Sequence, residues 1–470
     1  MPAVPDDPRD DGDGSGMPAA AGAHQPGANS ATGYAGRRRR AGTGFALLTT
    51  LVMLAVSACS DGHTDVRSVS AWGWSGYGGS SANANFAYPQ IPDDLELHWS
   101  RPTGGPITAP LSISGNGNIG VTATTSNGCN LFVFDPRQGR KNYCKRMQDG
   151  AATNTLLVDQ YDQPYVGEKG LFIAFNAGGA IRWRVPTIGI PRSARFADRG
   201  VVLVATTQGQ VLLLNSQTGD QVAPELRLRE DVDLDDPAFG YGDCITDGPQ
   251  CPVPAPPAVD AGRQRAYLNV WPSGADASAL VALDYGEKDG KRAIGQAWSS
   301  PIPGGMVGPP TLSADGSRVY AVSAPGKLVA VDTTTGDIVW THDLGEHGFA
   351  TLSVSPDGLI IPTGSVGAPL TLLRDTGDSA EQVWQRTDLA VVSLSTLTAQ
   401  DTAWTVVRDA GKDSLSLTQV SVADGRTLTT IPMPGSKGFA TGVAVSAAGQ
   451  VATATHIGEV YLFDSARNRY

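Results

Sequence analysis

The stretch "GKLVAVDTTTGDIVWTHDLG", residues 326–345, sets two short apolar runs on either side of a polar "DTTTGD". Val and Ile suit a pleated, half-buried surface, whereas Asp, Thr and Gly together suit a tight turn. The Asp332 carboxylate is placed to accept backbone N–H groups two residues on, and Gly336 supplies the positive φ that such a turn needs. A catalytic Asp is the competing reading. It is set aside because Asn215, Asn176, Asp135 and Asp464 fill the same place in other copies of the pattern.

Those copies recur along the chain, and self-similarity at a fixed period marks a repeat architecture. The fullest is "MVGPPTLSADGSRVYAVSAPGKLVAVDTTTGDIVWTHDL" at 306–344. Relatives begin at residues 106, 153, 191, 350 and 414, and a looser one runs from Pro254 to Trp298 behind the acidic insertion "REDVDLDDPAFGYGDCITDGPQC". Each copy is about 40 residues, the length of a four-stranded propeller blade. The last, "GVAVSAAGQVATATHIGEVYLFDSARNRY", ends after three strands, and "LELHWS" at 95–100 is available to complete it. Closing a ring this way removes sheet edges that would otherwise aggregate. The sequence therefore predicts an all-β fold: an eight-bladed β-propeller of four-stranded antiparallel blades over 95–470, closed by pairing an N-terminal strand with the C-terminal blade.

Trp99, Trp183, Trp298, Trp340 and Trp384, with Tyr143 in the equivalent slot, close the final strands of their blades. Their periodic placement predicts packing between neighbouring blades rather than ligand binding.

Composition agrees with many short strands and tight turns: Gly 57, Pro 32 and only 17% charged residues. The net charge of −11 argues against nucleic acid as a partner. No GxSxG, HExxH or P-loop appears, so no catalytic residue and no cofactor is assigned. "GNGNIG" at 115–120 fits the letters of a dinucleotide fingerprint, but the strand-like "VTATTS" follows where a helix is required. "DVDLDD" at 231–236 lacks the EF-hand pattern, since Asp236 and Gly242 stand where Gly and Glu belong. His342 and His347 lack a carboxylate or Cys partner in register, and no metal site is assigned.

The first 36 residues have a disordered composition, rich in Pro, Gly, Ala and Asp. "RRRR" at 37–40 and the apolar run Phe45 to Ala58 then read as an export signal over 37–58, too short for a spanning helix. Four cysteines remain beyond Cys59, an even number in an exported chain. Cys129 and Cys144 flank one hairpin and Cys244 and Cys251 bracket one loop, so local pairing is preferred among three connectivities. Residues 59–94 are Gly-, Ser- and Asn-rich, yet they carry Trp72, Trp74, Tyr77, Phe86 and Tyr88, and a partly packed tether is expected.

Two resemblances follow from these residues. "VSAC" at 56–59 resembles the bacterial lipobox, which implies a diacylglycerol-modified Cys59, a membrane partner reached through that anchor, and an extracytoplasmic location. "AVDTTTGDIVW", "LLNSQTGDQV", "FNAGGAIRW" and "LRDTGDSAEQVW" resemble the pyrroloquinoline-quinone-type propeller repeat. That repeat builds dehydrogenases, scaffolds and sensors alike. The dehydrogenases use a vicinal Cys pair and long inter-blade loops, whereas this chain has no adjacent cysteines and most of its inter-blade connections are short. The likeness is closer to BamB-like lipoproteins of the outer-membrane assembly machinery, which implies a monomeric, non-catalytic scaffold for an envelope protein partner. A propeller binding a small molecule or glycan at the channel mouth is the second expectation, and a quinone-dependent dehydrogenase is the third.

Overall fold

The computed structural model describes residues 66–468 except 127, 289, 346–350 and 365–366. The N-terminal extension 1–36, the signal 37–58, Cys59 and His347 lie outside the described residues. Within them, the "DTTTGD" turn joins Lys327–Asp332 to Ile338–Asp343, with Leu328 opposite His342 and Ala330 opposite Trp340. Asp332 Oδ1 accepts the N–H groups of Thr334 at 2.8 Å and Thr335 at 3.0 Å, and Gly336 has φ +80°. These bonds to backbone donors hold the Asp332 carboxyl below its ordinary value, with the Arg318 guanidinium adding to the effect.

The described residues form eight such antiparallel blades. Their first strands are Ser112–Ile113, Leu157–Val158, Arg195–Asp198, Ala258–Asp260, Met306–Leu312, Thr351–Val354, Thr396–Thr398 and Ala440–Val445, taken as blades one to eight. These strands are short and almost wholly buried, and they neighbour one another around the axis. Fourth strands such as Lys141–Lys145 and Ala380–Arg386 carry the exposed charges of the outer rim.

Closure follows the sequence expectation. Leu95–Pro102 pairs with Glu459–Ser465, so the outermost strand of blade eight comes from the opposite end of the chain. The core is a series of apolar layers between blades. The largest spans the closure, and Trp404, Tyr461 and Phe463 in it are almost fully buried. Spreading burial over many inter-blade layers lets a propeller this long remain one unit, since each blade can cover its faces only against its neighbours.

Candidate functional site

The six aromatic positions lie beside a common irregularity. In six blades the pairing of the third and fourth strands shifts register next to the aromatic, as at Leu97/Trp99, Ile181/Trp183 and Ala330/Val331. A bulge re-aims a side chain that regular alternation would place elsewhere. Trp99 Nε1 donates to the Pro136 carbonyl at 2.9 Å, Trp183 to Ser216 at 3.1 Å, Trp298 to Thr333 at 3.1 Å and Trp384 to Val422 at 2.6 Å, each on the following blade. Trp340 instead reaches Asp375 Oδ1 at 3.1 Å. The turn glycine of the next blade makes room: a Cβ at Gly139, Gly219, Gly336 or Gly425 would stand 2.7–2.9 Å from an indole carbon, and at Gly179 2.5 Å from Tyr143. These residues hold blades together and are spread around the rim, so they do not converge on a site.

Convergence occurs on the axis. From Val66 the N-terminal stretch runs across one end of the channel and bonds to the blades in turn. Ala71 N–H donates to Val158, Ile113 N–H to Trp74, Val158 N–H to Ser75, Val259 N–H to Ser81, Leu312 N–H to Ala82 and Val354 N–H to Ala84, all at 2.7–3.0 Å. Phe86–Ala87 then adds a parallel strand to Thr396–Thr398 of blade seven. The segment is thus a plug. Asn83 and Asn85 adopt φ +58° and +44°, and their side chains reach the Pro257, Pro310 and Leu352 carbonyls at 2.8–3.2 Å. Asn tolerates this left-handed backbone better than most residues. Trp74 of the plug is buried, whereas Trp72 and Tyr88 are exposed.

Above the plug lies a cavity of about 640 Å³ lined by all eight blades. Its wall is largely apolar, with Pro110, Pro254, Pro256, Pro309, Leu394 and Phe439 contributing. Its floor is Tyr77 of the plug, and the Arg195 guanidinium stacks over that ring at 5.8 Å. Its roof is the acidic insertion between blades three and four, from which Tyr241, Cys244, Ile245 and Asp247 reach the cavity.

The roof is fastened at several points. Cys244 is bonded to Cys251, and Cys129 to Cys144 in blade one. Lys169 pairs with Asp236 at 3.2 Å, Gln208 Nε2 donates to the Asp236 carbonyl at 2.6 Å, and Arg229 bonds Asp231 and the Pro249 carbonyl. Tyr241 and Thr153 hydroxyls meet at 3.0 Å. Among the described residues, no three His, Cys, Asp or Glu side chains gather as a metal-ligand set, in this acidic loop or elsewhere.

Arg192, on the lead-in to blade three, is the one arginine of the cavity lining. Its Nη1 faces Thr153 Oγ1 at 3.4 Å, and its buried Nε has no partner. Burial pulls the guanidinium below its ordinary value, opposed by the nearby Tyr241 and Asp247. Burial also pushes the Asp247 carboxyl up to about 6, opposed by the Gly308 N–H and by Arg192. His456, at the blade eight side, is lowered by burial. Sequence reading missed Arg192 and Arg195. The available signal was positional: "PRSARF" at 191–196 carries two cations where the other lead-ins are polar, small or proline-rich, as in "PITAPLS", "TNTLL" and "VGPPTL".

A family model described as "Outer membrane protein assembly factor BamB" matches residues 278–470. Protein Rv3035 of Mycobacterium tuberculosis is 32% identical over 412 residues, covering 87% of this chain and all of that protein. BamB of Shewanella oneidensis is 29% identical over 219 residues, covering 43% of this chain and 45% of that one. Among solved structures, BamB from Moraxella catarrhalis superposes with TM-score 0.51 at 17% identity, covering 79% of this chain and 99% of that one. Quinohemoprotein alcohol dehydrogenase from Comamonas testosteroni superposes with TM-score 0.57 at 14% identity, covering 83% and 80%. At such identities the superpositions speak for the fold alone.

Proposed function

The chain belongs to the family of Protein Rv3035 and is a BamB-like propeller of pyrroloquinoline-quinone-type repeats, and from that premise we propose a lipid-anchored, extracytoplasmic scaffold that presents one disc face to an envelope protein partner. The observation that carries this reading is the insertion fastened on the face opposite the plug, where Leu234 is 54% and Ile245 is 76% exposed; the plug's own face also exposes Trp72 and Tyr88. Exposed apolar side chains on a loop held by a rigid scaffold are the usual makings of a contact surface.

Anchoring through Cys59 rests on the basic "RRRR", the apolar run and "VSAC" at 37–59. Among the described residues no helix is long and apolar enough to cross a membrane. A dehydrogenase role lacks the adjacent cysteine pair of such enzymes, because the described cysteines form two bonds between residues 15 and 7 apart in sequence.

Photo-cross-linking in intact cells tests the scaffold. A photoreactive residue at 245 should give a discrete protein adduct, and one at rim position 383 should give none. Absence of an adduct from 245 in correctly located protein would overturn the reading. Mass spectrometry of the mature amino terminus tests the anchor separately, with an acylated Cys59 expected.

A further inference from the structure

The chain departs from its own repeat in two places, the N-terminal segment and the insertion between blades three and four, and both meet at the axial cavity. One supplies the floor through Tyr77 and the other the roof through Tyr241 and Asp247. A disc that only displayed a face would need neither a closed floor nor a roof fastened at this point.

Among the charged side chains of the lining are Arg192 and Asp247, of opposite sign, with His456 on the blade eight side and hydroxyls from Thr153 and Tyr241 beside them. Arg192 and Asp247 line the same cavity, one from the lead-in to blade three and the other from the roof. Yet among the described residues no carboxylate lies within the 4.0 Å of an ion pair with Arg192, and its Nε is unpartnered. Two opposite charges held apart in an apolar chamber are each incompletely compensated, which is unfavourable for the empty protein. A molecule bearing both signs restores the pairing. Interactions of this kind strengthen as water is displaced from apolar walls.

We propose that the axial cavity binds a zwitterionic small molecule of the amino acid or short peptide class, with its carboxylate on Arg192, its ammonium on Asp247 and its apolar side chain against the proline-rich wall. The volume of about 640 Å³ lies within the roughly 300–1,000 Å³ of ordinary small-ligand sites. Thr153 and the Tyr241 hydroxyl stand beside Arg192 to accept or donate the remaining hydrogen bonds.

Calorimetric titration of the purified full chain with L-leucine, L-phenylalanine and leucyl-leucine tests this without any protein partner, so its outcome is independent of the scaffold reading. Saturable binding of at least one is expected. N-acetyl-L-phenylalanine and L-phenylalaninamide, each lacking one charge, should both bind at least about tenfold more weakly than L-phenylalanine, as loss of a charged hydrogen bond implies. Arg192→Gln and Asp247→Asn should each weaken binding to a similar degree. Should a variant fail to fold, the capped ligands on the unaltered protein still decide. No saturable binding of the free ligands at millimolar concentration, or a loss with only one cap or with neither, overturns the proposal.

Discussion

Arg195 Nη2, on the first strand of blade three, donates to the side-chain oxygen of Asn83 in the plug. The same Asn83 donates its amide nitrogen to Pro257 at 3.2 Å and Pro310 at 2.8 Å. One side chain therefore ties blades three, four and five to the N-terminal segment. Burial pulls the Arg195 guanidinium down to about 10, so it stays charged at neutral pH and needs this partner.

Asn83→Gly keeps the left-handed backbone and removes all three bonds. The expected loss is about 2–4 kcal/mol, because a buried charged group is left short of a partner. Asn85→Gly removes one side-chain bond, to the Leu352 carbonyl at 2.8 Å, and should cost only about 1 kcal/mol. Urea unfolding of the full chain measures both. Equal losses would show that Arg195 does not depend on Asn83.

Gly336 and Gly377 occupy corresponding turns of blades five and six, with φ +80° and +103°. A Cβ at Gly336 would stand 2.8 Å from the Trp298 ring, whereas one at Gly377 meets nothing within 4 Å. Gly377→Ala should cost about 1–2 kcal/mol for its backbone alone. Gly336→Ala should cost about 1–3 kcal/mol more, since the indole must move in a packed layer. Thermal unfolding of the two variants side by side isolates the contact between blades.

The two disulfides should differ in what they stabilise. Cys129–Cys144 closes a loop of 15 residues inside a blade, so a double Ser variant should lose about 3 kcal/mol of global stability. Cys244–Cys251 lies in the roof, outside the blades. Its double Ser variant should speed proteolysis within residues 230–250 while the global unfolding midpoint moves little. A global loss as large as that of the first variant would show that the roof is part of the cooperative unit.

Asp247 makes the roof sensitive to pH. Its carboxyl is raised to about 6 in the fold from an ordinary value near 3.8, so the folded protein holds this proton more tightly than the unfolded chain does. Stability from this group is fully present below about pH 4 and is lost as pH rises to about 6, by at most about 3 kcal/mol. Amide exchange of residues 241–248 should be more protected at pH 4.5 than at pH 7. Asp247→Asn should remove the difference.

The blades were legible because their determinants are local. Asp332, Thr334, Thr335 and Gly336 complete their turn within five residues, and the same geometry returns at Asp135, Asn176 and Asn215. The closing strand was legible because a blade one strand short must find another edge. The aromatics of the plug announced partial packing but not its course, since the bonds from Asn83 and Asn85 to blade carbonyls span 174 to 267 residues and the plug backbone follows no period. Asn83 and Asn85 in "SANANFAY" take a left-handed backbone that a Gly-, Ser- and Asn-rich composition does not announce. The cavity escaped for a related reason: Arg192, Tyr77 and Asp247 come from three unrelated stretches, and only the closed ring brings them together.

The plug also fixes how many blades the ring can have. Its carbonyl and amide groups meet Ile113, Val158, Val259, Leu312, Val354 and Ala399 in a sequence of partners drawn from six different blades. A ring with one repeat deleted or duplicated would leave some of these groups facing a gap or the wrong strand, with buried donors and acceptors unsatisfied. The plug thus acts as a gauge against which the repeats of these six blades are registered.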